Sequence, residues 1–281
     1  MNYILANGEL ILSDMPGIKI SNRGFRFADG FFESIKIING EPCFFSAHFD
    51  RILKTTNVLG IEIPDGFTQA FLRERILELL NANHITQGGR IRITFTRNGN
   101  GFYLPDSNKM EYFIEAKPLE QNTYVLNQNG RSIDIYPEIK KQINVLSVYK
   151  TLNCQIYVMA SLFAKKKNLD DCLIQNDRNN IIESSNSNLF IVSNGVLYTP
   201  TLDDGCIGGV MRMQIINLAL EHKIKVYECN LTPQHLLAAD EIFMSNAIQG
   251  IQWVSSYRTK RYFNEHSKKF IQILNNSISK G

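Results

Sequence analysis

Two short apolar runs open the chain, at residues 3–6 and 10–12, and Asn7-Gly8 separates them. An Asn-Gly pair tolerates positive φ, so this pattern predicts a tight hairpin. The same signal recurs at Asn39-Gly40, between strand-like runs at 31–38 and 42–45. The apolar spacing then becomes helical. Phe49, Ile52, Leu53 and Leu59 predict a helix over 47–60 that ends on Gly60. Phe71, Leu72, Ile76, Leu79 and Leu80 predict a second over 67–82. Ile91, Ile93 and Phe95 alternate in a strand over 90–96, a glycine-containing loop covers 98–105, and a further strand covers 111–116.

Lys117-Pro118 and the polar residues after it break this pattern, which predicts a boundary between a smaller domain over 1–118 and a larger one over 122–281. Beyond it, strands are expected at 123–126, 132–136, 145–149, 171–175, 180–183, 189–193, 196–199, 224–229 and 241–245. Helices are expected at 151–167, 208–222 and 265–278. Strands and helices mix without a regular βαβ alternation, so the fold class is α+β rather than a doubly wound sheet.

Composition narrows the function classes. Hydrophobic residues make up 44% of the 281, enough for a sizeable core. The formal charge is +3, and runs such as Lys165-Lys166-Lys167 read as a solvated helix end, so no nucleic-acid partner is expected. The five cysteines are odd in number, with neither a C-x-x-C pair nor metal-ligand spacing, which suits reduced thiols in a cytoplasmic protein and no metal. The first residues do not look like a signal peptide, and no apolar run reaches the length of a membrane span.

Four segments carry candidate chemistry. Lys150 follows the run Val145-Leu146-Ser147-Val148-Tyr149 and precedes an expected helix. A lysine at such a junction can reach into a cleft, where desolvation makes its amine nucleophilic; taken alone, it reads as an ordinary surface lysine at a helix start. Glu183 follows Ile181-Ile182 and precedes Ser184-Ser185-Asn186-Ser187-Asn188, which suits a strand end opening into a site. Arg51, in His48-Phe49-Asp50-Arg51, could meet a phosphate. Gly205-Cys206-Ile207-Gly208-Gly209-Val210-Met211-Arg212 is a glycine-rich helix entrance whose N–H groups suit an anion.

Taken together and in order, these segments resemble the class IV aminotransferases, a family that includes branched-chain aminotransferases, D-amino-acid aminotransferases and 4-amino-4-deoxychorismate lyases. The resemblance runs from Arg23-Gly24-Phe25-Arg26-Phe27-Ala28-Asp29-Gly30-Phe31-Phe32-Glu33 through His48…Arg51, Thr96-Arg97, Lys150-Thr151-Leu152-Asn153 and Glu183…Phe190. It continues through Gly208…Arg212 to Asp240-Glu241-Ile242-Phe243-Met244-Ser245-Asn246-Ala247. It implies a two-domain fold with pyridoxal 5′-phosphate between the domains, and a homodimer. It also implies roles: Lys150 carries the cofactor as a Schiff base and shuttles protons, Glu183 faces the pyridine nitrogen, and Arg51 with the backbone N–H groups of Val210, Met211 and Ala247 binds the phosphate. Arg26, Lys36 and Arg97 border the substrate in this pattern, and each could receive a carboxylate.

The subfamily signals divide. After Thr96-Arg97 the loop reads Asn98-Gly99-Asn100-Gly101-Phe102-Tyr103, without the arginine and histidine typical of D-amino-acid enzymes. Cys154 stands where branched-chain enzymes usually carry tyrosine, and Lys150-Thr151-Leu152-Asn153 is closer to the lyases, whereas Glu183…Asn188 is closer to the transaminases. The expected activity is transfer of an amino group from a branched-chain or apolar L-amino acid to a 2-oxo acid. The alternative is pyruvate elimination from 4-amino-4-deoxychorismate, leaving 4-aminobenzoate.

Overall fold

The computed structural model describes residues 2–15 and 18–279. The chain groups into two compact units, Met1–Thr123 with Tyr149–Asn153, and Tyr124–Val148 with Cys154–Gly281.

In the first unit, β1 (Tyr3–Ala6) and β2 (Glu9–Leu12) form the expected hairpin. Its turn residues Asn7 and Gly8 have φ of 52° and 93°. A five-residue helix, α1 (Arg23–Phe27), precedes β3 (Gly30–Ile38) and the short β4 (Glu41–Pro42). Then come α2 (Phe45–Leu59), α3 (Gln69–Ala82), β5 (Gly89–Arg97) and β6 (Met110–Pro118). Gly60 closes α2 at φ 61°, and the Thr68 side chain caps α3 by accepting from the Phe71 N–H at 3.1 Å. The strands lie in the order β2-β1-β6-β5-β3-β4, every neighbour antiparallel. Phe31, Ile35, Ile91, Ile93 and Phe95 alternate along β3 and β5 and pack with Ile52 of α2 and with Leu72 and Ile76 of α3. Each such side chain, fully buried, contributes about 1.5–3 kcal/mol.

The second unit carries β7 (Arg131–Ile135), α4 (Gln155–Lys166), β8 (Asp171–Gln175), β9 (Ile181–Ser184), β10 (Asn188–Ser193) and β11 (Val196–Pro200). These are followed by α5 (Val210–Glu221), β12 (Val226–Cys229), α6 (Pro233–Ala238), β13 (Glu241–Asn246), β14 (Gly250–Tyr257), β15 (Lys260–Arg261) and α7 (Glu265–Ile278). The strand order is β12-β11-β10-β13-β14-β7-β8-β9, with β15 on β14. Strand β9 also pairs with β10, so the strands from β10 through β9 close into a ring, and Glu183 lies opposite Asn188 at the seam. Parallel pairs (β7 with β8 and β14, β11 with β12) mix with antiparallel ones, as α+β predicts. Among the described residues, no helix is long and apolar enough to cross a membrane.

Several expected elements differ, each for a local reason. Residues 145–149 form a turn rather than a strand. The Ser147 hydroxyl donates to the Gln142 carbonyl and accepts from the Asn144 N–H, and the Asn144 side chain accepts from Leu146. Short polar side chains thus take the hydrogen bonds a ladder would use. The helix after Lys150 begins at Gln155, because Thr151 and Leu152 pair with β3 instead. Residues 123–126 form no strand: the Asn275 side chain takes both the N–H and the carbonyl of Tyr124. Residue 45 opens α2 rather than extending a strand. Strand β14 escapes the apolar pattern because a register shift between Val254 and Ser256 breaks its alternation.

Candidate functional site

In the first unit, chemistry gathers at the start of β3. The Lys150 carbonyl accepts from the Phe32 N–H, and the Leu152 N–H donates to the Gly30 carbonyl, both at 3.0 Å. Lys150 is therefore held by strand pairing. Its Nζ lies 4.4 Å from the centre of the Phe32 ring, and the Arg92 guanidinium carbon lies 3.9 Å from the same centre. The unbroken β3–β5 register places Phe32 opposite Thr94 and Lys36 opposite Arg90. Strand alternation puts Lys36 on the Phe32 face. Lys36 is buried, and burial pulls its ammonium below the ordinary lysine range, while burial pushes the neighbouring Cys43 thiol up to about 11.

Glu33, 1% exposed, accepts from Arg51 through Nε to Oε1 and Nη2 to Oε2, both at 2.7 Å. His48 Nδ1 lies 2.7 Å from Oε2. Burial alone would raise the Glu33 pKa, but the Arg51 charge and the His48 hydrogen bond hold it at about 2. Burial favours neutral His48, so the ring donates to Glu33 as an uncharged hydrogen-bond partner. Arg51 thus reaches the site with two of its donors engaged by Glu33.

In the second unit, Glu183 is 3% exposed. Its Oε1 accepts from Lys141 Nζ at 2.7 Å and from the Tyr157 hydroxyl at 2.8 Å. Its Oε2 accepts from the Ile207 N–H at 2.8 Å. The loop that supplies this N–H leads through Gly208 to Gly209, the N-cap of α5, where no side chain among the described residues caps the helix. Val210 and Met211 form the buried first turn. Gly209 lies against Asn188, so close that a Cβ would fall 2.2 Å from the Asn188 Oδ1. Asn188 in turn donates to the Ser245 carbonyl at 2.7 Å, two residues before Ala247. The Tyr124 hydroxyl donates to the Ala247 carbonyl at 2.8 Å. The structure therefore draws Glu183, Val210, Met211 and Ala247 into one connected region.

The remaining candidate cations are placed differently. Arg26 is exposed, its guanidinium 5.0 Å from the Phe27 ring centre. Arg97 is buried and donates to Asp29, to the carbonyls of Leu59 and Gly60, and to Asn108. It braces the loops around β5.

Sequence reasoning passed over Glu33, Arg92, Lys141 and Tyr157. A charged residue within the apolar run 31–38 was a readable signal for Glu33, and His48 and Arg51, one helical turn apart, were its natural partners. Arg92 was legible only through the pairing of β5 with β3. Lys141 lies in a loop and Tyr157 in an amphipathic helix, and neither stands out in the sequence.

The model of the family described as "Amino-transferase class IV" matches residues 30–257. A putative branched-chain-amino-acid aminotransferase of Methanocaldococcus jannaschii is 29% identical over 246 residues, covering 86% of this chain and 83% of that one. A D-alanine aminotransferase of Listeria monocytogenes is 27% identical over 249 residues, with the same coverage of 86% and 83%. The crystal structure of a branched-chain aminotransferase from Thermoproteus uzoniensis with norvaline superposes with a TM-score of 0.88 at 22% identity, covering 99% of this chain and 95% of that one. The two mixed α/β units have the fold of the class IV aminotransferases. The chain belongs to the class IV aminotransferase family.

Proposed function

We propose that the protein is a pyridoxal-phosphate-dependent transaminase that moves the amino group of a branched-chain or apolar L-amino acid to a 2-oxo acid. One observation carries the cofactor reading. A buried carboxylate and the uncapped N-terminus of α5 are joined by a single short loop, through the Ile207 N–H and Gly209. Pyridoxal phosphate presents a basic ring nitrogen and a phosphate dianion, and these two features suit its two ends. The residues present therefore fit the group.

Glu183 would face the ring nitrogen, and the amides of Val210, Met211 and Ala247, with Arg51, would take the phosphate. Lys150 would hold the aldehyde carbon. When bound, the cofactor supplies an electron sink for the substrate's Cα carbanion. As a free amine, Lys150 would be the group that takes up and gives back the substrate's Cα proton. Lys36, buried on the Phe32 face of β3, suits a substrate carboxylate, whereas Arg26 is exposed and Arg97 donates to Asp29, Asn108 and the Leu59 and Gly60 carbonyls. The branched-chain assignment is supported by the name of the M. jannaschii relative and by a loop over 98–105 that lacks arginine and histidine. A cytoplasmic homodimer completes the reading.

A second reading has its own support. Arg92, beside the Phe32 ring, and Lys36, farther along the same face of β3, add cations, which suits a substrate with more than one carboxylate, such as 4-amino-4-deoxychorismate. Incubation with a panel of L-amino acids and 2-oxoglutarate separates the two. Glutamate formation supports transfer. Pyruvate released from aminodeoxychorismate without an acceptor supports elimination.

A further inference from the structure

A carboxylate offers about four lone-pair positions, two on each oxygen. On Glu183, Lys141 and Tyr157 occupy both positions of Oε1, whereas among the described residues Oε2 receives only the Ile207 N–H. We infer that Tyr157, together with Lys141, is a positioning residue that saturates Oε1 and thereby presents Oε2 to the ring nitrogen of the cofactor. The inference rests on the proposed cofactor reading.

The pair is built into the fold from separate directions. The Lys141 N–H donates to the Gln175 carbonyl at 2.9 Å and its carbonyl accepts from the Asp177 N–H at 3.1 Å, so its backbone is fixed against the β8–β9 turn. Its ammonium also donates to the Ser147 carbonyl at 2.9 Å and lies 5.5 Å from the centre of the Tyr157 ring. Tyr157 stands in the first turn of α4. Burial and the Glu183 charge push its phenol far above the ordinary tyrosine value, so it remains a hydroxyl and serves Glu183 as a donor. Neither residue has a role in the phosphate or lysine chemistry above. Without the hydroxyl, Oε1 would keep a single partner, and the carboxylate could rotate about its last bond and offer the ring nitrogen a poorer acceptor.

The test uses the full-length protein loaded with pyridoxal phosphate labelled with nitrogen-15 in the ring. Wild type is expected to show the resonance of a protonated ring nitrogen. Tyr157→Phe is expected to move that resonance toward the neutral pyridine position and to weaken cofactor binding about tenfold, the scale of one hydrogen bond to a charged group. Lys141→Met should act in the same direction, and Lys141→Arg should restore the wild-type resonance. Thermal unfolding of the cofactor-free variants reports folding separately, and a merely structural tyrosine would alter unfolding but not the resonance. Wild-type loading with an unchanged resonance and affinity in Tyr157→Phe would overturn the inference alone. A wild-type protein that takes up no pyridoxal phosphate would overturn the cofactor reading and this inference with it.

Discussion

Lys150 is the residue on which the proposed chemistry turns. Lys150→Ala should remove the visible absorption of the cofactor-loaded protein and lower transamination by roughly 10²–10⁴-fold, the range of a lost proton-transfer group. Borohydride reduction followed by peptide mapping checks this, and labelling of a different lysine would sink the assignment. Glu33 makes a second test, this one of stability. Its folded pKa of about 2 is depressed below the ordinary 4.5, so it stabilises the fold above pH 4.5, and that stabilisation is lost as pH falls toward 2. Glu33→Gln leaves Arg51 and His48 short of their buried partner and should cost about 3 kcal/mol at neutral pH, the lower end of the range for a broken buried pair because Arg51 is partly exposed. Urea titrations at a series of pH values should show the gap between variant and wild type closing below pH 4.5. A constant gap would mean that the charge contributes nothing.

Among the elements, the ladder strands and the longer helices were legible because their apolar residues recur at strand or helix spacing, whether one face alternates into the core, as along most of β5, or nearly every residue is buried, as in β8. Helix α7 spans residues 265–278 as its spacing predicts, and β5 and β8 follow their apolar runs closely. What escaped was decided by partners distant in sequence. The segment 145–149 is apolar enough for a strand, but Asn144 and Ser147 close it into a turn. The residues after Lys150 look helical, but β3 recruits two of them. The site shows the same division. Lys150, Glu183 and Arg51 stood out by type and order, whereas Lys141 and Tyr157 become visible only once β9 and α4 are folded. At the α5 entrance, Gly209 has φ of −68°, so Gly209→Ala meets no backbone strain. The added methyl would instead displace the Asn188 side chain from its bond to Ser245. Overpacking of this kind costs about 1–3 kcal/mol. Cofactor titration of Gly209→Ala should also show weaker binding, and unchanged affinity would detach this glycine from the phosphate site.

For the molecule as a whole, the cysteines offer a simple reading of the folded state. Cys43, Cys172 and Cys206 are buried, and Cys154 and Cys229 are partly exposed. Burial pushes Cys172 and Cys206 up to about 12, and raises Cys229 as well. Thiolates are the reactive form, so a disulfide reagent at neutral pH should modify at most Cys154 and Cys229 in the native protein and all five after denaturation. Rapid native reaction of three or more would contradict the packing. Cofactor binding should protect the fold as well: pyridoxal phosphate at a hundred times its dissociation constant should add about 2.7 kcal/mol to unfolding.

The five-residue passage Tyr149–Asn153 belongs to the first unit, although the chain on either side of it does not. An N-terminal fragment cut after residue 123 would therefore lack more than its lysine. The Phe32 amide and the Gly30 carbonyl would lose the strand that now covers them. Such an open edge invites other chains. During synthesis, too, the six strands are complete by residue 118, but this edge stays uncovered until residue 153 has left the ribosome.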